Sequence, residues 1–372
     1  MDRMQLHSFH ERLGARFTSL GEAEIVADYG EASAEYTALK TGVGLLDLGF
    51  RGRLCLTGED RIRFLHGQVT NDVQGLKPGQ GCYAALTNAK ARMLADLNIW
   101  RLQDELLLDF EPGLVPVVTQ RLEKYIIADD VQIVEVAPHF GMLSVQGPQA
   151  AQAVANSGLA ETIPGASWTF SKTTHAEFGE LYWMNRPRCG QAGFDLFAPT
   201  GTLEKVAERL LASVGEAHGR ICGWTALEMA RIEAGIPRFG ADIDETNIPL
   251  EAGLENVGIS FKKGCYIGQE IISRIRTYSE VARALRRLVL ADDAQLLPAK
   301  GDKLFYAGKE VGYITSAAAS PMVKRKIALG YVRKEVNEPG TELSVGAGEG
   351  GLAVKVVGVP FEPFEVLQMS AR

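Results

Sequence analysis

The pattern of apolar and polar positions changes near residue 283. Before it, short apolar runs alternate with segments whose apolar side chains recur at three- and four-residue spacing. The spaced segments predict helices and the short runs predict strands, so this part is predicted to be α+β. We expect strands at residues 53–56, 83–86, 95–100, 106–110 and 142–145. We expect helices at residues 114–125, 149–156, 203–214, 225–233 and 269–276.

Two of the predicted strands lead through a glycine into a predicted helix. After residues 53–56, Thr57 and Asp60 form a capping-box-like arrangement that places a helix start at Thr57. After residues 142–145, Gly147 precedes Pro148, which suits a first helical turn. The shared order of strand, glycine and helix indicates an internal duplication.

After residue 283 the chain consists of short apolar runs separated by glycine and proline. Short strands at this spacing are typical of a small β-barrel or sandwich. The glycine-rich residues 346–351 lie between two such runs and predict a hairpin loop. We therefore divide the chain into an N-terminal α+β lobe at 1–140, a second α+β lobe at 141–282, and a C-terminal β-barrel at 283–372.

Composition narrows the class of protein. The 372 residues carry a net charge of -7, which argues against a protein that coats nucleic acid or an anionic membrane. No apolar run approaches the ~18 residues of a membrane-spanning helix. The five cysteines are odd in number and show no C-x-x-C spacing, which favours a reducing compartment and predicts a cytoplasmic protein without a metal site.

Residues 262–287 depart from this acidic average, with seven basic side chains against two acidic ones. Within them Gly264 and Gly268 bracket Cys265, which predicts a tight loop in front of a helix. A helix amino terminus and neighbouring lysines favour the thiolate form of a cysteine. The alternative is that Cys265 is a small buried apolar residue.

The segment from Lys263 to Glu270, Lys-Gly-Cys-Tyr-Ile-Gly-Gln-Glu, resembles the signature of the YgfZ family, folate-binding relatives of the glycine cleavage T-protein. Residues 64–73, 231–235 and 242–251 also resemble stretches that both branches share. The resemblance implies three lobes around a central channel that holds tetrahydrofolate or a derivative, with a β-barrel as the last lobe. A polyglutamylated folate would fit the same expectation.

Several residues acquire expected roles from this resemblance. Tyr83 and Asn88 are candidate walls of the folate pocket, and Gln269 is a candidate folate contact within the signature. Arg231 and Lys263 are candidate cations for the glutamate tail. For two of them an ordinary explanation stays open, since Tyr83 suits a strand core and Arg231 suits a helix surface.

The chain also departs from the T-protein pattern. T-proteins carry two adjacent aspartates where this chain has Ala95 and Asp96, so Asp96 is the remaining candidate proton acceptor, or else a strand residue facing water. They also carry a pterin-facing Glu that is missing from residues 190–195, where Asp195 is the candidate replacement.

These losses favour a folate-binding accessory protein that supports assembly or repair of iron–sulfur enzymes, including tRNA-modifying enzymes. Its expected working residues are Cys265 and Lys263, and its expected partners are iron–sulfur client or assembly proteins. The alternative is a tetrahydrofolate-dependent aminomethyl or methyl transferase acting on a small amine, with Asp96 as its catalytic residue. A third possibility is a scaffold that has lost folate, so the sequence leaves enzymatic activity open.

Overall fold

The computed structural model describes residues 3–278, 280–347 and 351–357. Within these ranges the α-helices are α1 His7–Arg12, α2 Ala32–Thr41, α3 Arg61–Gln68, α4 Val115–Glu123, α5 Ala150–Ser157, α6 Leu203–Glu216, α7 Trp224–Ala234, α8 Glu255–Gly258 and α9 Gln269–Tyr278. The strands of the same ranges are β1 Arg16–Leu20, β2 Ala23–Asp28, β3 Gly44–Asp47, β4 Gly52–Thr57, β5 Gln80–Thr87, β6 Met93–Arg101, β7 Leu106–Phe110, β8 Gln132–Glu135, β9 Phe140–Gln146, β10 Phe170–His175, β11 Gly179–Asn185, β12 Gly193–Pro199, β13 Arg220–Ile221, β14 Arg283–Leu290, β15 Lys303–Tyr306, β16 Lys309–Ser320, β17 Arg325–Arg333, β18 Glu342–Val345 and β19 Leu352–Val357.

The first sheet has the strand order β5-β6-β7-β4-β8 and is antiparallel throughout. Alternation along β6 gives the sheet two different faces. Ala95, Leu97 and Ile99 are fully buried in an apolar core that includes residues of α3 and α4. The side chains of Asp96 and Asn98 therefore point to the opposite face, which meets the second sheet.

The second sheet has the strand order β10-β11-β12-β9-β3-β13, with α5 and α6 on its apolar face. Its strand β3 comes from residues 44–47, so a piece of the predicted first lobe completes the sheet of the second. The lobe boundary between residues 140 and 141 stays a prediction. The structure adds that one strand of the predicted first lobe, β3, belongs to the sheet of the second.

The two sheets repeat one connection, as the internal duplication requires. In each, a strand and a helix lead to a three-strand meander whose last strand returns beside the first, β7 against β4 and β12 against β9. Gly58 and Gly147 follow β4 and β9 with φ of 94° and 125°. A Cβ at either glycine would lie 2.1 Å or 2.4 Å from a backbone oxygen, so only glycine fits.

The predicted start of α3 is wrong by three residues, because Asp60 and not Thr57 occupies the N-cap position. The helix begins at Arg61, and no side chain caps its amino terminus. The Asp60 carboxylate instead accepts a hydrogen bond from the Asp130 backbone N–H at 3.0 Å. The Asp60 side chain, which the local pattern assigned to the helix cap, therefore forms a long-range hydrogen bond instead.

The C-terminal strands form a closed barrel in the order β14-β17-β16-β15-β18-β19, so the predicted α+β fold with a terminal β-barrel is confirmed. Ile232 of α7 packs against Leu285, Leu329 and Tyr331 of the barrel. Residues 348–350 of the predicted hairpin loop and 358–372 of the predicted barrel lie outside the described residues. In the part of the chain that is described, no helix is both long and apolar enough to cross a membrane.

Candidate functional site

Polar side chains occupy one end of the contact between the two sheets. Asn98 of β6 and Asp109 of β7 lie opposite one another in the first sheet, and Ser144 and Asp195 lie opposite one another in the second. The Asn98 amide donates to Asp109 at 2.7 Å, and the Ser144 hydroxyl donates to Asp195 at 2.7 Å. The other end of the contact is apolar and contains Trp100, Met142 and Phe197.

Asp96 lies two residues before Asn98 on the same face of β6. Its Oδ2 accepts a hydrogen bond of 2.9 Å from the Tyr83 hydroxyl. Burial, followed by the nearby negative charge of Glu111, raises the pKa of Asp96 from 3.8 to about 6. Burial and the same Asp96 charge raise the pKa of Tyr83, so the phenol stays a donor. A carboxyl group with a pKa near 6 can both accept and return a proton near neutral pH.

A chain of alternating ion pairs runs from the second sheet through the first to the barrel. Each arginine in it bridges two carboxylates, and most of its members are buried. Its order is Asp195, Arg188, Asp109, Arg51, Glu111, Arg238, Glu228, Arg231 and Asp242. The Asp242 carboxylate also accepts a 2.5 Å hydrogen bond from Thr315 of β16.

Arg188 joins the two sheets in this chain. Its Nε lies 3.0 and 2.9 Å from the two carboxylate oxygens of Asp195, and its Nη2 lies 2.8 Å from Asp109. Burial alone would raise the pKa of Asp109, but Arg51 and Arg188 outweigh it and hold the pKa at about 2. Asp96 and Asp109 thus share one face of the sheet, yet only Asp96 titrates near neutral pH.

An aromatic wall borders the polar end. The Trp168 ring lies 5.4 Å from that of Trp100 and 6.5 Å from that of Tyr83. Trp168 has a φ of 61°, a left-handed conformation that costs a residue with a side chain on the order of 1–3 kcal/mol. Hydrogen bonds of both its backbone groups, to Asn185 and Gly81, maintain it. The guanidinium of Arg186 lies 4.7 Å above the Trp168 ring.

Gln146 fixes the loop that carries Arg186 and Arg188. Its amide nitrogen donates to the Arg186 carbonyl at 3.1 Å, and its amide oxygen accepts from the Arg188 N–H at 2.9 Å. Gly193 lies beside it, where a Cβ would fall 2.0 Å from the Gln146 oxygen. The conformation of this loop therefore depends on Gln146, whose amide occupies the space that a Cβ at Gly193 would fill.

The structure brings Tyr83, Asp96 and Asp195 into this region. Asn88 has a different position, because its side-chain oxygen accepts the backbone N–H groups of Lys90 and Arg92 and closes the turn after β5. Gln269 is the first residue of α9. Among the described residues no hydrogen bond links Asn88 or Gln269 to Asp96, and their folate contacts stay predictions.

Arg231 is 3% exposed, so its alternative as a helix-surface residue is wrong. Its guanidinium donates to Glu228, Asp242, the Ser316 hydroxyl and the Ile236 carbonyl. These bonds use all five N–H groups of an arginine. A folate tail would have to displace one of them, and the predicted tail contact remains untested.

Lys263 also has its donors engaged. The ammonium donates to the carbonyls of His66, Val69 and Asn71, the last two at 2.7 and 3.0 Å. Burial lowers the pKa of Lys263 to about 8. The side chain thus fastens its loop to the end of α3 and the segment that follows it.

Cys265, two residues further on, is exposed, so the alternative of a small buried residue is wrong. Its neighbour Tyr266 is buried against Ala91 and Ile272. Gly268, at φ 91°, lies where a Cβ would come within 2.8 Å of the Asn88 carbonyl. The segment from Lys263 to Glu270 therefore packs on the end of β5. The roles of Cys265 and Lys263 as working residues stay predictions.

Sequence reasoning missed the ion-pair chain and the aromatic wall. The available signal was weak: Asp109 interrupts the apolar run 106–110, Arg51 precedes the buried strand β4, and Arg53 lies within it. A charged residue inside an apolar run needs a buried partner. Only the fold shows that Arg188, far along the chain, supplies one.

Comparison with known proteins identifies relatives of the whole chain. The family model described as the GCVT N-terminal domain matches residues 6–263, and the glycine cleavage T-protein C-terminal barrel domain matches residues 283–362. An aminomethyltransferase of Streptomyces coelicolor is 27% identical, with 99% of this chain and 96% of the relative covered. An aminomethyltransferase of Geobacillus thermodenitrificans is 28% identical, with 97% and 98% covered. The crystal structure of the glycine cleavage system aminomethyltransferase T from Bartonella henselae, 24% identical, has the same fold with a TM-score of 0.86 over 97% of this chain and 98% of that one.

Proposed function

The chain belongs to the glycine cleavage T-protein family, and on that premise we propose that it is a tetrahydrofolate-dependent transferase that moves a one-carbon unit from a small amine. The observation that carries the proposal is Asp96. This carboxyl group has a pKa of about 6, lies between the two sheets and is oriented by the Tyr83 hydroxyl. The relatives named aminomethyltransferase support a transferase.

The residues around Asp96 fit a reduced folate. Tyr83 and Trp168 offer an aromatic wall for the flat pterin. Asp195 accepts from Ser144 and Arg188, and a carboxylate has further lone pairs for the donor edge of a pterin. When bound, reduced folate supplies the nitrogen that takes up the one-carbon unit. We assign Tyr83, Trp168 and Asp195 to hold it.

Asp96 serves as the proton acceptor and donor of the transfer. An Asp96 carboxylate oxygen would take the proton that the accepting nitrogen loses when it bonds to the one-carbon unit and the bond from that unit to the donor amine breaks. The same oxygen then returns the proton to the departing amine. The Tyr83 hydroxyl positions the carboxylate throughout, and no oxidant or reductant is needed.

The test is product formation with tetrahydrofolate and a panel of small amine donors, read by mass spectrometry as methyltetrahydrofolate from N-methyl donors and as methylenetetrahydrofolate from aminomethyl donors. The wild-type chain should form product with at least one donor. Asp96→Asn keeps an acceptor for the Tyr83 hydroxyl and should bind tetrahydrofolate while losing about 10²–10⁴-fold in rate. Turnover by Asp96→Asn at the wild-type rate would refute the role of Asp96.

A second candidate is the YgfZ-type accessory function, with Cys265 and Lys263 as working residues and iron–sulfur client or assembly proteins as partners. The observation that favours it is the exposure of Cys265, whose loop Lys263 holds in place. Under this proposal Cys265→Ala and Lys263→Ala fold normally but do not restore iron–sulfur enzyme activity in cells that lack the gene. Full rescue by both variants would eliminate it.

A further inference from the structure

Arg186 is an arginine of the site that forms no ion pair with a carboxylate of the described residues. Its neighbours Arg51, Arg188 and Arg238 each bridge two. Among the described residues no Asp or Glu oxygen lies within ion-pair distance of the Arg186 guanidinium. Its Nε donates to the Asn98 side-chain oxygen at 3.1 Å and its Nη1 to the Pro187 carbonyl at 2.6 Å.

These bonds leave part of the guanidinium unused. An arginine has five N–H groups, and in the described structure one on Nη1 and both on Nη2 have no hydrogen-bond partner. Burial, and then the like charge of Arg188, lowers the pKa of Arg186 to about 10, so the group is still a cation near neutral pH. An anion beside it would relieve both the lost hydration and the repulsion.

The position of Arg186 relates it to the proposed chemistry. Its partner Asn98 is the cross-strand neighbour of Tyr83 and lies two residues from Asp96 on the same face of β6. Two residues along a strand span roughly 6.6 Å. The Asn98 amide is fixed between Asp109 and Arg186, so the guanidinium lies against the same face of β6 that carries Asp96.

We propose that Arg186 binds the carboxylate of the donor, so that the substrate is a small amine that also carries a carboxylate group. The free N–H groups of Nη1 and Nη2 form the edge that pairs with both oxygens of a carboxylate. The amine of the same molecule then lies toward Asp96. Stacking on Trp168 keeps the guanidinium plane in place. This inference rests on the proposed function and deepens it by naming the substrate class.

The test compares N-methylglycine with N-methylglycinamide, which has nearly the same shape but lacks the negative charge. Binding of each to the tetrahydrofolate-saturated protein is measured by calorimetry in wild type, Arg186→Met, Arg186→Lys and the exposed control Arg325→Met. In wild type and Arg325→Met the acid should bind about 10- to 100-fold more tightly than the amide, the range of a hydrogen-bonded charge pair. Arg186→Met should remove that preference, and Arg186→Lys should keep part of it.

Tetrahydrofolate affinity of each variant separates the possible failures. If Arg186→Met binds tetrahydrofolate like wild type and has lost the preference for the acid, the inference holds. If wild type binds tetrahydrofolate but prefers neither compound, or if Arg186→Met retains the preference, the inference is refuted and the proposed function stands. If wild type does not bind tetrahydrofolate, the proposed function itself fails.

Discussion

Asp96→Asn should make the protein more stable at neutral pH while lowering the proposed transferase rate about 10²–10⁴-fold. The folded state raises the pKa of Asp96 from 3.8 to about 6, so the native protein binds this proton more tightly than the unfolded chain does. Stability from this group is therefore greatest below pH 4 and is lost as the pH rises to about 6. Asn carries no charge, keeps an oxygen for the Tyr83 hydroxyl and avoids that loss.

The expected magnitude follows from the two pKa values. The difference between 3.8 and about 6 corresponds to about 3 kcal/mol of unfolding free energy at pH 8. Because water reaches part of this half-buried side chain, we expect a gain of about 2 kcal/mol. The assay is urea unfolding of wild type and variant at several pH values from 4 to 8.

Asp109→Asn is the matched control on the same face of the sheet. Its carboxylate pairs with Arg51 and Arg188 and has a pKa of about 2, so its loss leaves each of these buried cations with one carboxylate instead of two. It should destabilise the protein by about 3–5 kcal/mol at pH 8. The reasoning on Asp96 is refuted if Asp96→Asn is less stable than wild type at pH 8, or if their difference does not change between pH 4 and 8.

Three further predictions test the surroundings of the site. Arg238→Met leaves Glu111 and Glu228 without a shared cation and should lower the free energy of unfolding in urea by about 3–5 kcal/mol. The control Lys303→Met breaks an exposed pair with Glu310 and should change that free energy by less than about 1 kcal/mol. Equal effects of the two substitutions would contradict the importance of the ion-pair chain. Gly193→Ala displaces Gln146 from the loop that carries Arg186 and Arg188 and should lower the free energy of unfolding, measured by thermal unfolding, by about 1–3 kcal/mol. The control Gly201→Ala, with open space at its Cβ, should lower it little. An unchanged stability of Gly193→Ala would show that Gln146 does not fix the loop. Brief alkylation of the native protein with iodoacetamide should modify Cys265 first, because burial raises the pKa of the thiols of Cys55, Cys82, Cys189 and Cys222; peptide mass spectrometry showing another cysteine first would overturn this order.

The sequence predicts the regular elements where one face of a strand or helix is buried. The alternation at residues 95–100 in β6 and the apolar runs of the barrel strands can be predicted from the sequence, because burial alone decides which of their positions are apolar. The exchange of β3 between the two lobes is not visible, since a four-residue apolar strand carries no sign of which sheet it joins. The start of α3 was misjudged because a distant backbone group, that of Asp130, accounts for the Asp60 side chain.

The candidate site was predictable only in part. Asp96 and Asp195 were named from the resemblance, and both lie on the facing sheets. Arg186, Arg188 and Trp168 were missed, because their importance comes from contacts with residues about 80 positions away in the chain. The sequence predicts Lys263 as a cation for the ligand, whereas its three hydrogen bonds to backbone carbonyls depend on a fold that no local pattern specifies.

We propose that reduced folate binds between the two sheets beside Asp96. Calorimetric titration of the wild-type chain with tetrahydrofolate and its polyglutamates tests this most directly, with Trp168→Ala as the variant that removes part of the aromatic wall. We expect one bound folate per chain in wild type and about 10-fold weaker binding in Trp168→Ala, consistent with loss of one aromatic stacking contact. No detectable binding to the wild-type chain, or equal affinity in the variant, would contradict it.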